Sequence, residues 1–249
     1  YKIADQKNFE KIPGSPIGYW VNNNFISTFN NKCLDNVLTI KQGLATSNNN
    51  RFLKVWHEIP FNSFGQNYSS ITEAHKSEKK WFPYNKGGGF RKWYGNQEFV
   101  ISFDKENFEI LKNLGNHLPS RQMYFKQSIT WGLISSNAFA PRFSPTGFVF
   151  DVGGSSGFTE DRLYYKIGLL GSKLSLEYLQ LLNPTISYQV GDIKKIPYIE
   201  VESEEIDEIT KQCVQISSED WDSRETSWDF KQNELIRLKS DTLEESFNN

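Results

Sequence analysis

The stretch Lys79-Lys80-Trp81-Phe82-Pro83-Tyr84-Asn85-Lys86-Gly87-Gly88-Gly89-Phe90-Arg91-Lys92-Trp93-Tyr94 combines five cations and six aromatic residues with no acidic residue. Its three successive glycines let the backbone turn sharply and approach another molecule closely. Cations bind phosphates, while flat faces and amide donors can contact bases, so this composition is typical of a nucleic-acid surface. The alternative is a solvated loop whose aromatic residues belong to the core, and composition alone favours neither.

Short strand and helix patterns alternate on both sides of this stretch. Strands are predicted near residues 37–41, 52–56, 98–103, 124–131 and 146–152, and in a segment ending at Val190. Helices are predicted over residues 69–80, 104–114, 161–182 (with a break at Gly171-Ser172) and 204–216. We therefore expect an α/β or α+β fold: a mixed sheet with flanking helices over residues 1–199, then a mostly helical acidic segment over residues 200–249.

The net charge of −2 conceals an uneven distribution. Residues 200–249 contain fifteen acids and five bases, a net charge of −10, whereas residues 1–199 contain fifteen acids and twenty-three bases, a net charge of +8. This division predicts a body that can meet a polyanion and a separate acidic segment. The alternative is an acidic tail that only solubilises the end of a domain.

Several classes of chemistry lack a sequence signal. Cys33 and Cys213 are isolated, which argues against a disulfide framework, and the three histidines show no zinc-ligand spacing with them. No apolar run is long enough to span a membrane. The chain has no G-x-S-x-G or H-E-x-x-H motif. Residues 153–157 (GGSSG) lack the Lys-Ser/Thr of a P-loop and are interpreted as a flexible turn. We predict neither a catalytic residue nor a metal ligand.

A series of motifs in order resembles the C-terminal half of bacterial adenine-specific DNA methyltransferases, and in particular the methyltransferase of BREX phage-defence systems. The motifs are IPGSPIGYW (12–20), QGLAT (42–46), NNRF (49–52), KWFPYNKGG (80–88), RKWYGN (91–96), NPT (183–185), GDIKKIP (191–197), EDWD (219–222) and ETSWDF (225–230). The resemblance covers essentially the whole chain. Because the chain begins at Tyr1 and its only methionine is Met123, we expect a fragment of a longer protein.

The resemblance implies that methyl transfer belongs to a domain N-terminal to this fragment. In that family the N-terminal half binds S-adenosylmethionine through a Gly-rich motif and holds a flipped adenine with an Asn-Pro-Pro-Tyr-type motif. Neither motif is present here. Asn183-Pro184-Thr185-Ile186 begins similarly but lacks the second proline and the aromatic residue, so no catalytic role is assigned to Asn183. The fragment itself is expected to bind no cofactor and to act as the target-recognition domain for double-stranded DNA in the cytoplasm.

Three polar loops are the expected DNA contacts: Thr46–Arg51, Asn85–Trp93 and Ser135–Arg142. Arg can read guanine and Asn can read adenine in the major groove. Lys86, Arg91 and Lys92 are the strongest candidates for phosphate or base contacts. The full set of predicted DNA-binding residues is Thr46, Asn49, Asn50, Arg51, Lys86, Gly87, Gly88, Arg91, Lys92, Trp93, Tyr94, Ser136, Asn137 and Arg142.

Two alternatives remain at the level of sequence. The first is a protein-interaction module that docks other defence-system subunits, with Trp221 and Trp228 in the acidic segment as its docking surface. The second is an independent endonuclease, for which Asp192, Lys194 and Lys195 are only a faint resemblance to the acids and lysine that surround a catalytic metal.

Overall fold

Two four-stranded sheets organise the chain. The computed structural model describes residues 6–135 and 138–248. The first sheet has the order β1-β8-β5-β6, and all its neighbouring strands are antiparallel. Its strands are β1 (Thr39–Lys41), β5 (Ser128–Thr130), β6 (Arg142–Ser144) and β8 (Ser156–Phe158).

The second sheet is mixed and has the order β2-β4-β3-β7. Strands β2 and β3 both pair antiparallel with β4, whereas β3 and β7 are parallel. The strands are β2 (Leu53–Val55), β3 (Trp81–Asn85), β4 (Phe99–Ser102) and β7 (Val149–Phe150). All five residues of β3 are buried, so the basic and aromatic stretch begins as a core strand and becomes a surface loop only after Asn85.

Helices lie before, between and after the strands. The helices are α1 (Asn23–Ser27), α2 (Asn49–Phe52), α3 (Ile71–Lys76), α4 (Lys105–Lys112), α5 (Leu163–Leu170), α6 (Lys173–Leu182), α7 (Val190–Ile193), α8 (Glu204–Asp222), α9 (Glu234–Arg237) and α10 (Leu243–Asn248). Side-chain caps fix several of these boundaries; for example, Asp104 accepts the Asn107 N–H at the start of α4, and Ser172 accepts the Ser175 N–H at the start of α6.

Each sheet has its own apolar core. Ile129 of β5 and Trp131, which directly follows this strand, pack with Ile167, Leu170 and other buried residues of α5 and α6. The second sheet packs with α4 and with Tyr124 and Phe125, and the core of this cluster includes the fully buried Phe82, Phe103 and Phe125. The expected α/β class with a helical C-terminal part is confirmed.

The acidic helix α8 packs against α5. Gly168 makes the close approach possible, because a Cβ atom at that position would lie 2.5 Å from the Thr210 hydroxyl oxygen. Arg162 pairs with Asp207 at 3.1 Å across the same contact. The acidic segment is thus joined to the rest of the chain through the face of α8 that meets α5.

Three local predictions were wrong. Residues 190–193 form α7 instead of ending a strand. The GGSSG segment does not remain a turn, because its last residues enter β8, which lies between β1 and β5. The segment Asn49–Phe52 is a short helix and not a polar hairpin loop, because the Asn48 side chain caps it by accepting the Arg51 N–H.

Candidate nucleic-acid interface

The parallel pair of β3 and β7 builds the centre of the candidate site. Asn85 pairs with Phe150 in this register, so the next residues, Lys86 and Asp151, leave the sheet side by side. Their Nζ and Oδ2 atoms are 2.9 Å apart. The Tyr84 hydroxyl donates to the same Asp151 oxygen at 2.6 Å. Burial, reinforced by Asp151, raises the pKa of Tyr84 well above its ordinary value.

A backbone bridge brings the first predicted loop to the same edge. The Leu44 N–H donates to the Phe150 carbonyl at 2.9 Å, and the Val152 N–H donates to the Leu44 carbonyl at 3.0 Å. Asn116 braces the following turn by accepting the Ala45 N–H and donating to the Gly43 carbonyl. The loop is therefore held against Asp151 by backbone and amide hydrogen bonds.

These segments enclose a polar cleft of about 500 Å³, lined by residues 45–50, Lys86 and Asp151. Thr46 is only 2% exposed, and its hydroxyl donates to the Asn49 side-chain oxygen at 2.6 Å. Asn50 and Arg51 are exposed on α2. Two of the three predicted loops thus share one cleft, in which Thr46 supports the loop and Asn50 is exposed.

The glycine-rich part of the second loop is held from beneath. Arg142 donates from Nη2 to the Gly87 carbonyl at 3.0 Å and from Nη1 to the Arg91 carbonyl at 3.2 Å. The Asn96 amide donates to the carbonyls of Gly87 and Gly89, at 3.3 and 2.7 Å. Gly87 and Gly88 both have φ of +97°, a conformation that favours glycine. The loop therefore turns its carbonyl groups toward Arg142 and Asn96.

The end of the same loop contacts the acidic helix α8. Arg91 pairs with Asp220 at 3.0 Å, and Tyr94 packs in a buried cluster with Val214 and Trp221. Lys92 places its Nζ atom 4.3 Å from the Trp93 ring centre, and burial lowers its pKa. Of the predicted contacts in this segment, Tyr94 is buried, whereas Arg91, Lys92 and Trp93 are partly exposed.

The third predicted loop ends at a residue that supports the site from inside the protein. Ser136 and Asn137 lie outside the described residues. Arg142 lies in β6 and is 2% exposed, so it contacts the second loop from inside the protein instead of facing solvent. Burial, together with the nearby Arg91 charge, lowers the pKa of Arg142 to about 10. Its guanidinium thus supports the glycine-rich loop.

Sequence reasoning missed three residues that shape the site: Asp151, Asn96 and Asn116. Asp151 and Asn96 had weak signals, since an acid directly after a strand and a Gly-Asn pair both occur at structured turns. Asn116 had a similar signal after Gly115. None of these patterns identifies the loop that each side chain holds. For Asp151 and Asn116, the hydrogen-bond partners lie 65 to 73 residues away in the sequence.

The described ranges contain no group of three or more His, Cys, Asp or Glu side chains arranged to hold a metal ion. Within the same ranges, no helix has both the length and the apolar character needed to cross a membrane. The candidate site accordingly consists of polar loops, backbone groups and cations.

Two curated relatives match almost the whole chain. The adenine-specific methyltransferase PglX of Lacticaseibacillus casei (strain Zhang) is 38% identical over 242 residues, which make up 93% of this chain and 20% of the relative. The adenine-specific methyltransferase BrxX of Escherichia coli O9:H4 (strain HS) is 36% identical over 244 residues, which make up 96% of this chain and 19% of the relative. The chain is homologous to one segment of these methyltransferases.

The resemblance to a BREX-type adenine-specific methyltransferase, drawn from the motifs, is confirmed by these relatives. The chain spans about a fifth of the length of the adenine-specific methyltransferases that it matches. No protein-family model matches the sequence.

Proposed function

We propose that this chain recognises duplex DNA on behalf of an adenine-specific methyltransferase whose catalytic part lies elsewhere in the protein. The observation that carries the proposal is the convergence of the Ala45–Asn50 loop and Lys86 on one open polar cleft, next to the glycine-rich loop. Such a surface offers amide and guanidinium donors for base edges and cations for phosphates. The names of the two relatives, both adenine-specific methyltransferases, support DNA as the target.

The proposal assigns a role to each part of the chain and to the parent protein. Residues 1–199 form the target-recognition domain, and residues 200–249 form the acidic helical segment that packs beside it. S-adenosylmethionine serves the parent protein and not this segment. The parent acts in the cytoplasm, where bacterial DNA lies, as part of a phage-defence or restriction-modification system, with other defence subunits as partners.

Exposure separates direct contacts from supporting residues. Asn50 lines the cleft, Arg51 follows it on α2, and both are exposed and are our candidates for base recognition. Lys86 and Lys92 flank the glycine-rich loop and are candidates for phosphate contacts. Thr46, Tyr94 and Arg142 are buried and hold these groups in position. Asn49, Gly87, Gly88, Arg91 and Trp93 complete the described part of the proposed interface, and Ser136 and Asn137 stay predictions.

The experiment is fluorescence-anisotropy binding of the chain to a mixed-sequence duplex over a salt series. The wild type should bind with an affinity that falls steeply as salt rises, because bound cations displace counterions from phosphates. The double variant Arg91→Ala, Lys92→Ala should weaken binding and flatten the salt dependence. A matched double variant, Lys211→Ala with Lys239→Ala, removes the same charge from the acidic segment and should bind like the wild type.

Two outcomes would count against the proposal. A binding affinity that does not change with salt concentration would show that phosphate contacts do not contribute to it. Equal losses in both double variants would mean that net charge, and not this surface, governs binding. Because Arg91 contacts Trp221, the thermal midpoint of each variant should be measured alongside, so that a loss of folding is not counted as a loss of DNA contacts.

A docking module for other subunits is the second candidate. Three large apolar residues near the C-terminus favour it, since Ile236, Leu243 and Phe247 are all more than 60% exposed. Trp221 is buried and therefore does not present the docking surface that the sequence predicted. Capture of a partner subunit that survives the Arg91 and Lys92 changes but is lost on Leu243→Ser with Phe247→Ser would support this function over DNA recognition.

A further inference from the structure

The buried guanidinium of Arg142 has no carboxylate partner in the described structure. Within residues 6–135 and 138–248, Arg142 forms no ion pair, and its Nε atom makes no hydrogen bond. Among the described residues, its terminal nitrogens donate to the carbonyls of Gly87 and Arg91. Burying a charge without an opposite charge is costly, so its position beneath this loop calls for an explanation.

The loop above Arg142 has two different faces. The carbonyls of Gly87, Gly89 and Arg91 accept hydrogen bonds from Arg142 and Asn96 on the inner face. In a trans peptide the N–H of the next residue points the opposite way, and the described chain has no cis peptide. The N–H groups of Gly88, Phe90 and Lys92 therefore point outward. In the described part of the chain, none of these three groups donates to a protein acceptor.

The cations around the loop differ in whether a described acidic residue pairs with them. Lys86 is neutralised by Asp151, and Arg91 is neutralised by Asp220. Lys92 and Arg142 form no ion pair with any described residue. The outer face of the loop thus combines free amide donors with two uncompensated cations, one at its edge and one beneath it. Backbone N–H groups in turns can bind anions. Because the carbonyls on the inner face converge on Arg142 and Asn96, the three outward N–H groups spread along the loop and offer separate contacts to phosphate oxygens.

We propose that the outer face of residues 87–92 is a seat for the phosphate backbone of the DNA, whose oxygens accept hydrogen bonds from the N–H groups of Gly88, Phe90 and Lys92. The proposal rests on the proposed DNA recognition and deepens it. Arg142 supplies the counter-charge from below, and Lys92 supplies it from the side. Amide donors and a buried charge select a phosphate without reading a base, so this loop sets the register and leaves sequence reading to the cleft beside it.

Gly89 allows a sharp test. A Cβ atom at this position meets nothing within 4 Å, and its φ lies outside the left-handed range, so a side chain fits there without strain. Gly89→Asp places a carboxylate beside the seat, and Gly89→Asn has the same shape without the charge. Gly191, in α7, is equally open, so Gly191→Asp adds the same charge outside the loop.

The proposal predicts that Gly89→Asp binds a duplex about tenfold more weakly than Gly89→Asn and lowers the salt slope by about 0.9, the value of one phosphate contact. Gly191→Asp should keep the wild-type slope. If the wild type binds the duplex and the Gly89→Asp and Gly89→Asn variants bind it with equal affinity, the phosphate seat is refuted. The proposed DNA recognition would be unaffected by that result.

Backbone amide NMR of the wild-type chain tests the phosphate seat independently. Titration with a short duplex should shift the ¹⁵N–¹H signals of Gly88, Phe90 and Lys92 together. Duplex binding that leaves these three signals unmoved would refute the seat but not the function. If the chain binds no duplex, titration with inorganic phosphate tests the seat separately. Shifts of the same three amide signals would support the seat, and unchanged signals would refute it.

Discussion

The guanidinium of Arg91 lies 4.8 Å from the ring centre of Trp221, so a residue of the basic loop stacks on a residue of the acidic helix. Asp220, the neighbour of Trp221, pairs with the same guanidinium at 3.0 Å. Gly95 makes room for this contact, because a Cβ atom there would lie 2.9 Å from the Trp221 ring. The segment with the greatest positive charge density and the segment with the greatest negative charge are thus in direct contact.

Removing Trp221 should destabilise the fold. The side chain is 4% exposed, and replacing a buried tryptophan with alanine typically costs about 3–5 kcal/mol. Chemical denaturation of Trp221→Ala should show this loss in the free energy of unfolding. Trp20→Ala is the matched control, because Trp20 is 56% exposed and surface changes are usually within about 0.5 kcal/mol. Similar losses in the two variants would contradict the packing described for α8.

Releasing Arg91 from its carboxylate should strengthen DNA binding. Arg224 and Arg91 lower the pKa of Asp220, so its carboxylate is charged at neutral pH and competes with a phosphate for Arg91. Asp220→Asn should raise duplex affinity at low salt and increase the salt slope by up to about 0.9. The change should alter stability by less than about 1 kcal/mol, because the pair is partly exposed.

Glu208→Gln is the control for this prediction, because it removes one negative charge from the same helix through an exposed pair with Lys211. Its duplex affinity should remain close to that of the wild type. If the two variants gain affinity equally, the effect comes from net charge, and Arg91 has no special part in binding.

Tyr84 should make stability decline at alkaline pH. Its pKa is raised in the folded protein, so the phenol favours folding fully below the unfolded pKa of about 10 and loses that contribution as pH rises. Tyr84→Phe should be less stable than the wild type by about 1–3 kcal/mol at pH 7, since Asp151 loses a buried donor. The difference should shrink in denaturation curves as the pH rises above about 10. A constant difference over this rise would be evidence against ionisation of Tyr84 as its source.

The backbone bridge at the cleft should tolerate no added methyl group at Gly43. A Cβ atom there would lie 2.0 Å from the Phe150 carbonyl oxygen, which accepts the Leu44 N–H. Gly43→Ala should cost about 1–3 kcal/mol through overpacking. Gly191→Ala meets open space in a helix and should stabilise the chain by about 0.5–1 kcal/mol. Thermal denaturation of the two variants should therefore shift in opposite directions, and parallel shifts would exclude the steric explanation.

Local signals predicted some elements and not others. The helix start at residue 104 and the helix break at Gly171-Ser172 were predicted correctly, because the caps that form there depend on neighbours only a few residues away. Strand β8 was missed because Ser156 and Gly157 have little intrinsic preference for a strand and owe their conformation to the partners β1 and β5. Short strands that are stabilised by distant neighbours have no equivalent local signal.

The candidate site was predicted in composition but not in arrangement. The sequence indicated that the loop at Thr46–Arg51 and the loop at Asn85–Trp93 carry suitable donors. Their meeting depends on the register of β3 with β7 and on the Leu44 bridge, which no spacing in the sequence encodes. The burial of Arg142 was equally inaccessible, since arginine is usually exposed and only the tertiary structure brings it under the loop.

The contact of α8 with α5 also constrains recombination between related chains. A recombination joint at residue 199 would combine Arg162 and Gly168 of one ancestor with Asp207 and Thr210 of another. The incoming partners would then have to match both an ion pair and a contact that admits no Cβ atom. Inheritance of the acidic helix together with the loops that it supports avoids this mismatch. The unit that must be inherited together is therefore longer than the proposed recognition surface.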